Sequence, residues 1–180
     1  GKQLPKTSDV VSLLYVGRLT HEKGAHTAIE AVSQLVKKNG IKHLKLTIVG
    51  DGEADYLDSL HKTVERDSLS SFVTFLPAQP KESLPALYRQ SDLFLFTSIW
   101  QEPFGRVIVE AMASGMAVVG TAVGGAAGIL VHDENALVFE VGDSFSLAQA
   151  LRRLIESPAL REKLGSAGRE TARSKFDLQR

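Results

Sequence analysis

An α/β domain, with a parallel sheet and helices on both of its faces, is the architecture this sequence predicts. Three observations carry it. Short apolar runs such as Val11 to Val16 and Leu44 to Val49 have the form of strands covered on both sides. Segments with apolar residues at helical spacing alternate with those runs. Turn residues, including Gly17, Gly50-Asp51-Gly52 and Pro77, stand where the runs stop. With 180 residues the chain is long enough for one ordinary domain that buries roughly 70% of its unfolded surface.

Taken in order, Val11 to Val16 is the first strand. Ala28, Ile29, Val32, Leu35 and Val36 then mark a helix that Asn39-Gly40 ends. Leu44 to Val49 repeats the strand form, and an acidic helix start follows at Glu53. A third strand is expected over 72–76 and a short helix around Leu84, Leu87 and Tyr88. The fourth strand, 92–96, leads through a polar loop into a helix whose apolar stripe is Val107, Ile108, Ala111 and Met112, with Gly115 as its stop. Pro103 sits where a first helical residue tolerates the missing N–H. Two brief strands, 117–120 and 136–139, and two helices, Ser144–Glu156 and 158–174, complete the alternation. Such sheets bind ligands beyond the carboxyl ends of their strands.

Composition narrows the function classes. The 21 basic and 21 acidic residues cancel, which argues against a nucleic-acid partner or a membrane surface. There is no cysteine, so disulfides and thiolate metal sites are excluded. No apolar run approaches 20 residues and no signal-peptide pattern is visible, so a cytoplasmic location is the expectation. The first turn lacks Gly-x-Gly-x-x-Gly, no P-loop pattern occurs, and Ser114 lacks the surround of a hydrolase elbow. The five histidines show no ligand spacing, and His26 reads as structural. There is no Asp-x-Asp to hold a divalent ion, so no metal and no cofactor is expected.

Two loops carry chemistry. In Thr97-Ser-Ile-Trp-Gln-Glu-Pro-Phe-Gly-Arg106, Glu102 precedes a helix start, and Gly105 lets a ligand approach its free amides. Glu110 lies about 60° from Val107 around the helix, at the margin of the apolar stripe, which places it two turns inside a helix begun at Pro103 and facing the same cleft margin as Glu102. On spacing alone, Glu102 could serve the helix dipole and Glu110 could pair with Arg106. In Gly17-Arg-Leu-Thr-His-Glu-Lys-Gly24, Arg18 and Lys23 put two cations near a helix start. Solvation or Glu22 could offset Lys23; a bound anion would also relieve it.

The stretch Glu102-Pro-Phe-Gly-x4-Glu110-Ala-Met-Ala-x-Gly115 resembles the signature of the group 1 (family 4) retaining glycosyltransferases of GT-B fold. The Gly17-Arg18 to Lys23-Gly24 stretch resembles the same family's diphosphate-binding element. The resemblance covers 11–176. It implies a Rossmann-like half of a GT-B fold, residues 11–180, preceded by a linker-like edge over 1–10. The N-terminal domain would lie outside this sequence and meet a carbohydrate or glycolipid acceptor. The implied substrate is a nucleotide-diphosphate sugar, transferred with retention. Glu102 would bind a donor-sugar hydroxyl, Glu110 the ribose, and Arg18 and Lys23 the phosphates. Amides at Phe104 and Gly105 would meet sugar or diphosphate. Gly17 and Gly50 would line the nucleotide side, and backbone at Leu76 the base. Peripheral membrane association is open to the full-length enzyme.

Departures from the family pattern are local. Pro77 and Ala136 replace usual glycines, and Ala127 and Gly128 stand where Pro-Glu is usual. The loop 123–128 is therefore expected to be looser, which keeps a sugar-nucleotide-binding module without catalysis as an alternative.

Overall fold

The computed structural model describes residues 9–176, and the expected α/β fold is what it shows. The strands are β1 (Val11–Val16), β2 (Leu44–Val49), β3 (Val73–Leu76), β4 (Leu93–Phe96), β5 (Ala117–Gly120) and β6 (Leu137–Val138). All are parallel and stand in the order β3-β2-β1-β4-β5-β6. The helices are α1 (Ala25–Lys37), α2 (Ala54–Arg66), α3 (Leu84–Gln90), α4 (Arg106–Ala113), α5 (Ser144–Glu156) and α6 (Pro158–Lys175). The edge expected over 1–10 falls mostly outside the described residues.

Alternation along the strands sorts the core. Leu13, Tyr15, Leu93 and Leu95 point to the face covered by α1, α2 and α5. Leu14, Phe94 and Phe96 point to the other face, against α3 and α4. Both sides of the central strands are buried, which is why they read as unbroken apolar runs. Helix α6 spans the two layers, with Leu164 in the first and Ala172 in the second. Asp143 caps α5 through its carboxylate, and Ser157 caps α6, where Pro158 takes the first turn.

The helix after β4 begins later than its sequence implies. Pro103 lies in a bend, and α4 starts at Arg106 behind Gly105. The carbonyl of Gly105 accepts the first helical bonds, from Ile108 at 3.0 Å and Val109 at 3.2 Å. The carbonyl of Glu102 is drawn elsewhere, to the amide of Gly125. Glu110 is consequently about one turn inside the helix, not two. The buried stripe is also wider than expected: Val109 joins Ile108, Ala111 and Met112, and Val107 is only half-buried.

Order reverses at β1. Strand β1 pairs with β2 along all six residues, but with β4 only at Leu13↔Leu93 and Leu14↔Phe94. Past that point the two central strands diverge. This is the switch point of an open parallel sheet, the place where a crevice forms at the carboxyl ends of the strands.

Candidate functional site

A cavity of about 490 Å³ occupies that divergence, a size suited to a small ligand. Tyr15, Val16, Gly17 and Arg18 line it from the end of β1, and Leu95 to Ser98 from the end of β4. Glu22, Lys23, Glu102 and residues 104–107 close its rim. Both motif loops therefore meet in one place, although they are far apart in sequence.

Backbone contacts hold the first loop in place. His21–Lys23 is a single 3-10 turn between β1 and α1. Ile99 donates its amide to the carbonyl of Glu22 (2.8 Å), and Thr97 Oγ1 donates to that of Lys23 (3.1 Å). Tyr15 Oη lies 3.1 Å from the carbonyl of Arg18. Burial, and then the negative potentials of Tyr56 and Glu102, push its phenol far above the usual range, so it stays a donor. Gly24 adopts φ +70°, and a Cβ there would overlap the carbonyl of Thr97. The turn rests directly on the end of β4.

Across the cavity, Lys23 Nζ pairs with Glu102 Oε1. Its counter-charge is thus Glu102, not neighbouring Glu22. Ser98 Oγ donates to the same oxygen at 2.7 Å. Glu102 Oε2 has no partner among the described residues. The Arg18 guanidinium is exposed and likewise unpartnered among them. At the start of α4 the amides of Phe104, Gly105 and Val107 find no acceptor among the described residues. Three cations (Arg18, Lys23 and Arg106) and three free amides thus line one cavity against two carboxylates, Glu22 and Glu102, a balance that favours an anion.

Glu110 stands differently. It does not line the cavity, contrary to the shared margin expected from its spacing. Tyr88 donates to its Oε2 at 3.1 Å, and Arg106 Nε to its Oε1 at 2.8 Å. The local pairing open on spacing alone is therefore formed. Burial first, then Glu110, raises the Tyr88 phenol well above its ordinary value. Gly50 and Leu76 are also outside the cavity lining: the Gly50 amide donates to the Leu76 carbonyl at 3.1 Å. The Gly17 amide, though in the lining, is taken by Val49 at 3.0 Å.

The segment after β5 is tighter than its composition suggests. Gly124–Gly128 forms a 3-10 helix with Ala126 buried. Gly124, at φ +53°, packs so closely on the backbone of Glu102 that a Cβ would collide. The Gly125 amide reaches the Glu102 carbonyl at 2.6 Å, so small residues here allow close backbone approach instead of looseness.

The profile of the glycosyl transferases group 1 family matches residues 2–171. The chain belongs to that family. One relative, the lipopolysaccharide core biosynthesis glycosyltransferase LpsE of Rhizobium meliloti, is 33% identical over 98% of this chain and 49% of its own length. Anabaena Alr3699/HepE, solved in complex with UDP-glucose, is 33% identical with a TM-score of 0.87, over 93% of this chain and 45% of that one. The C-terminal domain of the group 1 protein LpcC of Francisella tularensis matches with a TM-score of 0.86 at 28% identity. That match covers 94% of this chain and 87% of that one. The chain spans about half the length of the curated relatives it matches and corresponds in extent to a group 1 C-terminal domain. Among its described residues no helix is long and apolar enough to cross a membrane.

Within this group 1 chain, the sequence missed the hydroxyl groups. Ser98 and Tyr88 each touch a motif glutamate, and Thr97 and Tyr15 hold the lysine turn. The only signal was the polar pair Thr97-Ser98 ending an apolar strand.

Proposed function

We propose that this chain binds a nucleotide-diphosphate sugar and forms the donor half of a retaining glycosyl transferase. The observation that carries the reading is the cavity at the switch point, where Arg18, Lys23 and the free amides of Phe104, Gly105 and Val107 converge. A diphosphate satisfies all of them at once, through charge-assisted bonds and the helix start. Glu102 then offers Oε2 to a sugar hydroxyl while Oε1 stays anchored. Glu110, one turn further along α4, takes the ribose hydroxyls once exposed Arg106 swings aside. Likeness to HepE, solved with UDP-glucose, supports the ligand class.

In transfer, the bond between the anomeric carbon and the diphosphate oxygen breaks, and its electron pair leaves with the phosphate. The acceptor hydroxyl bonds to the same face, giving its proton to the departing oxygen. Arg18 and Lys23 stabilise the charge that develops there. Residues outside these 180 would bring the acceptor, a carbohydrate or glycolipid, within about 3 to 3.5 Å of that carbon.

Calorimetric titration tests the reading. UDP, GDP or ADP should saturate the chain in the micromolar to millimolar range, and the matching nucleoside should bind at least about tenfold more weakly. Labelled donor and acceptors supplied to this chain alone should yield no glycoside. Failure of all three diphosphates to bind would overturn the proposal, as would turnover near the ordinary enzymatic range of about 1 to 1000 per second by residues 1–180.

A further inference from the structure

Ser98 is buried at the end of β4. Its hydroxyl has one proton and three oxygens in reach: Glu102 Oε1 at 2.7 Å, the Glu22 carbonyl at 3.2 Å and the Trp100 carbonyl at 3.3 Å. The carboxylate is nearest and the strongest acceptor, and Glu22 already receives the Ile99 amide. The main chain of Ser98 is itself fixed, because buried Thr121 Oγ1 donates to its carbonyl at 2.6 Å. The direction of the Ser98 hydroxyl is thereby set by the sheet.

Lys23 cannot give the same direction. Its side chain is 34% exposed, and an ammonium on a four-carbon stem accepts many geometries. On the reading above it also turns toward the diphosphate when donor binds. The group that stays on Glu102 through that exchange is Ser98. We propose that Ser98 is a positioning residue: by holding Glu102 Oε1 it aims Oε2 into the cavity and sets the preference for sugar-bearing over bare nucleotide. The inference rests on the assignment of Glu102 to the donor sugar.

A double-mutant cycle separates the two. Parent, Ser98→Ala, Glu102→Gln and the double variant are titrated with the tightest-binding of UDP-glucose, GDP-mannose and ADP-glucose, and with its bare diphosphate. In the Glu102 background, Ser98→Ala should lower the sugar-to-bare affinity ratio about tenfold, the scale of one charge-assisted bond. Bare nucleotide should stay within about twofold. In the Glu102→Gln background, Ser98→Ala should add nothing, and Ser98→Thr should recover most of the ratio. If Ser98→Ala does not fold, Ser98→Cys keeps the volume with only a weak donor and serves the same test. Equal losses for both ligands, or a Ser98→Ala effect that persists beside Glu102→Gln, would show a merely structural hydroxyl and overturn the proposal. An unchanged ratio in Glu102→Gln alone would remove the assignment of Glu102, and the role of Ser98 with it.

Discussion

The two motif glutamates are built alike and placed differently, Glu102 in the cavity lining and Glu110 outside it. Each has a buried hydroxyl on one side and a cation on the other: Ser98 and Lys23 for Glu102, Tyr88 and Arg106 for Glu110. They differ in where the cation comes from. Arg106 is one helical turn away on α4 and 66% exposed, so its pair is a local one, with a stabilising effect of a few tenths of a kcal/mol. Lys23 comes from the loop after β1, across the cavity, and Glu102 is only 13% exposed. A long-range pair of this kind joins two elements and holds a cation at the cavity. The same chemical grouping thus lies along one helix in one case and ties two loops across a cavity in the other.

The comparison breaks most sharply by removing the cations. Lys23→Met should weaken nucleoside diphosphate binding roughly 10- to 150-fold, the worth of one lost bond to a charged group. Arg106→Met should change it by no more than about twofold. Calorimetry on both variants decides: equal losses would mean that the two pairs are equivalent after all. A smaller effect sharpens the comparison from the hydroxyl side. Tyr88→Phe keeps the ring against Phe94 and removes only the bond to Glu110. Because the Glu110 side chain is 26% exposed, water can replace that bond, and urea unfolding should show a loss of about 1 kcal/mol. A loss above about 3 kcal/mol would make Tyr88 a structural anchor that Ser98 has no counterpart to.

The smallest effect is in pH. His26 stacks on His21, whose turn carries Lys23, and shares a hydrogen bond with Tyr56 at 2.8 Å. Burial, then His21, holds its pKa below the ordinary 6.5, with Glu30 acting the other way. The unfolded chain therefore takes the proton more readily than the folded one. Stability is full above 6.5 and declines as pH falls from there toward the lower folded value. Urea midpoints at about pH 7.5 and 5.5 should show the step, and His26→Gln should flatten it. Asp67 acts in a separate window. Burial raises its pKa, but bonds from Lys37, Arg66 and Ser33 outweigh that and bring it to about 2, so its contribution is lost only from 3.8 downward.

The sheet was legible because burial on both faces writes itself as apolar runs. The positions of Arg18, Lys23 and Glu102 at strand ends followed from that. What could not be read was the Lys23 to Glu102 pair, because 79 residues separate them and only the adjacency of β1 and β4 brings them together. The start of α4 was misplaced for a related reason. Pro103 is a sound local signal, but the Glu102 carbonyl bonds to Gly125, a partner that sequence spacing does not reveal. Single hydroxyls such as Ser98 leave no periodic trace at all.

The loop between β4 and α4 is gripped at both ends. Gly24 lies against the Thr97 carbonyl and Gly124 against the backbone of Glu102, while Trp100 between them is 66% exposed. For anyone building libraries, this marks where diversity is affordable. Codons for Trp100 and Gln101 can be randomised with the cavity rim left standing, whereas a side chain at either glycine dislodges it. The chain carries its own cassette, with the splice sites defined by two hydrogen atoms.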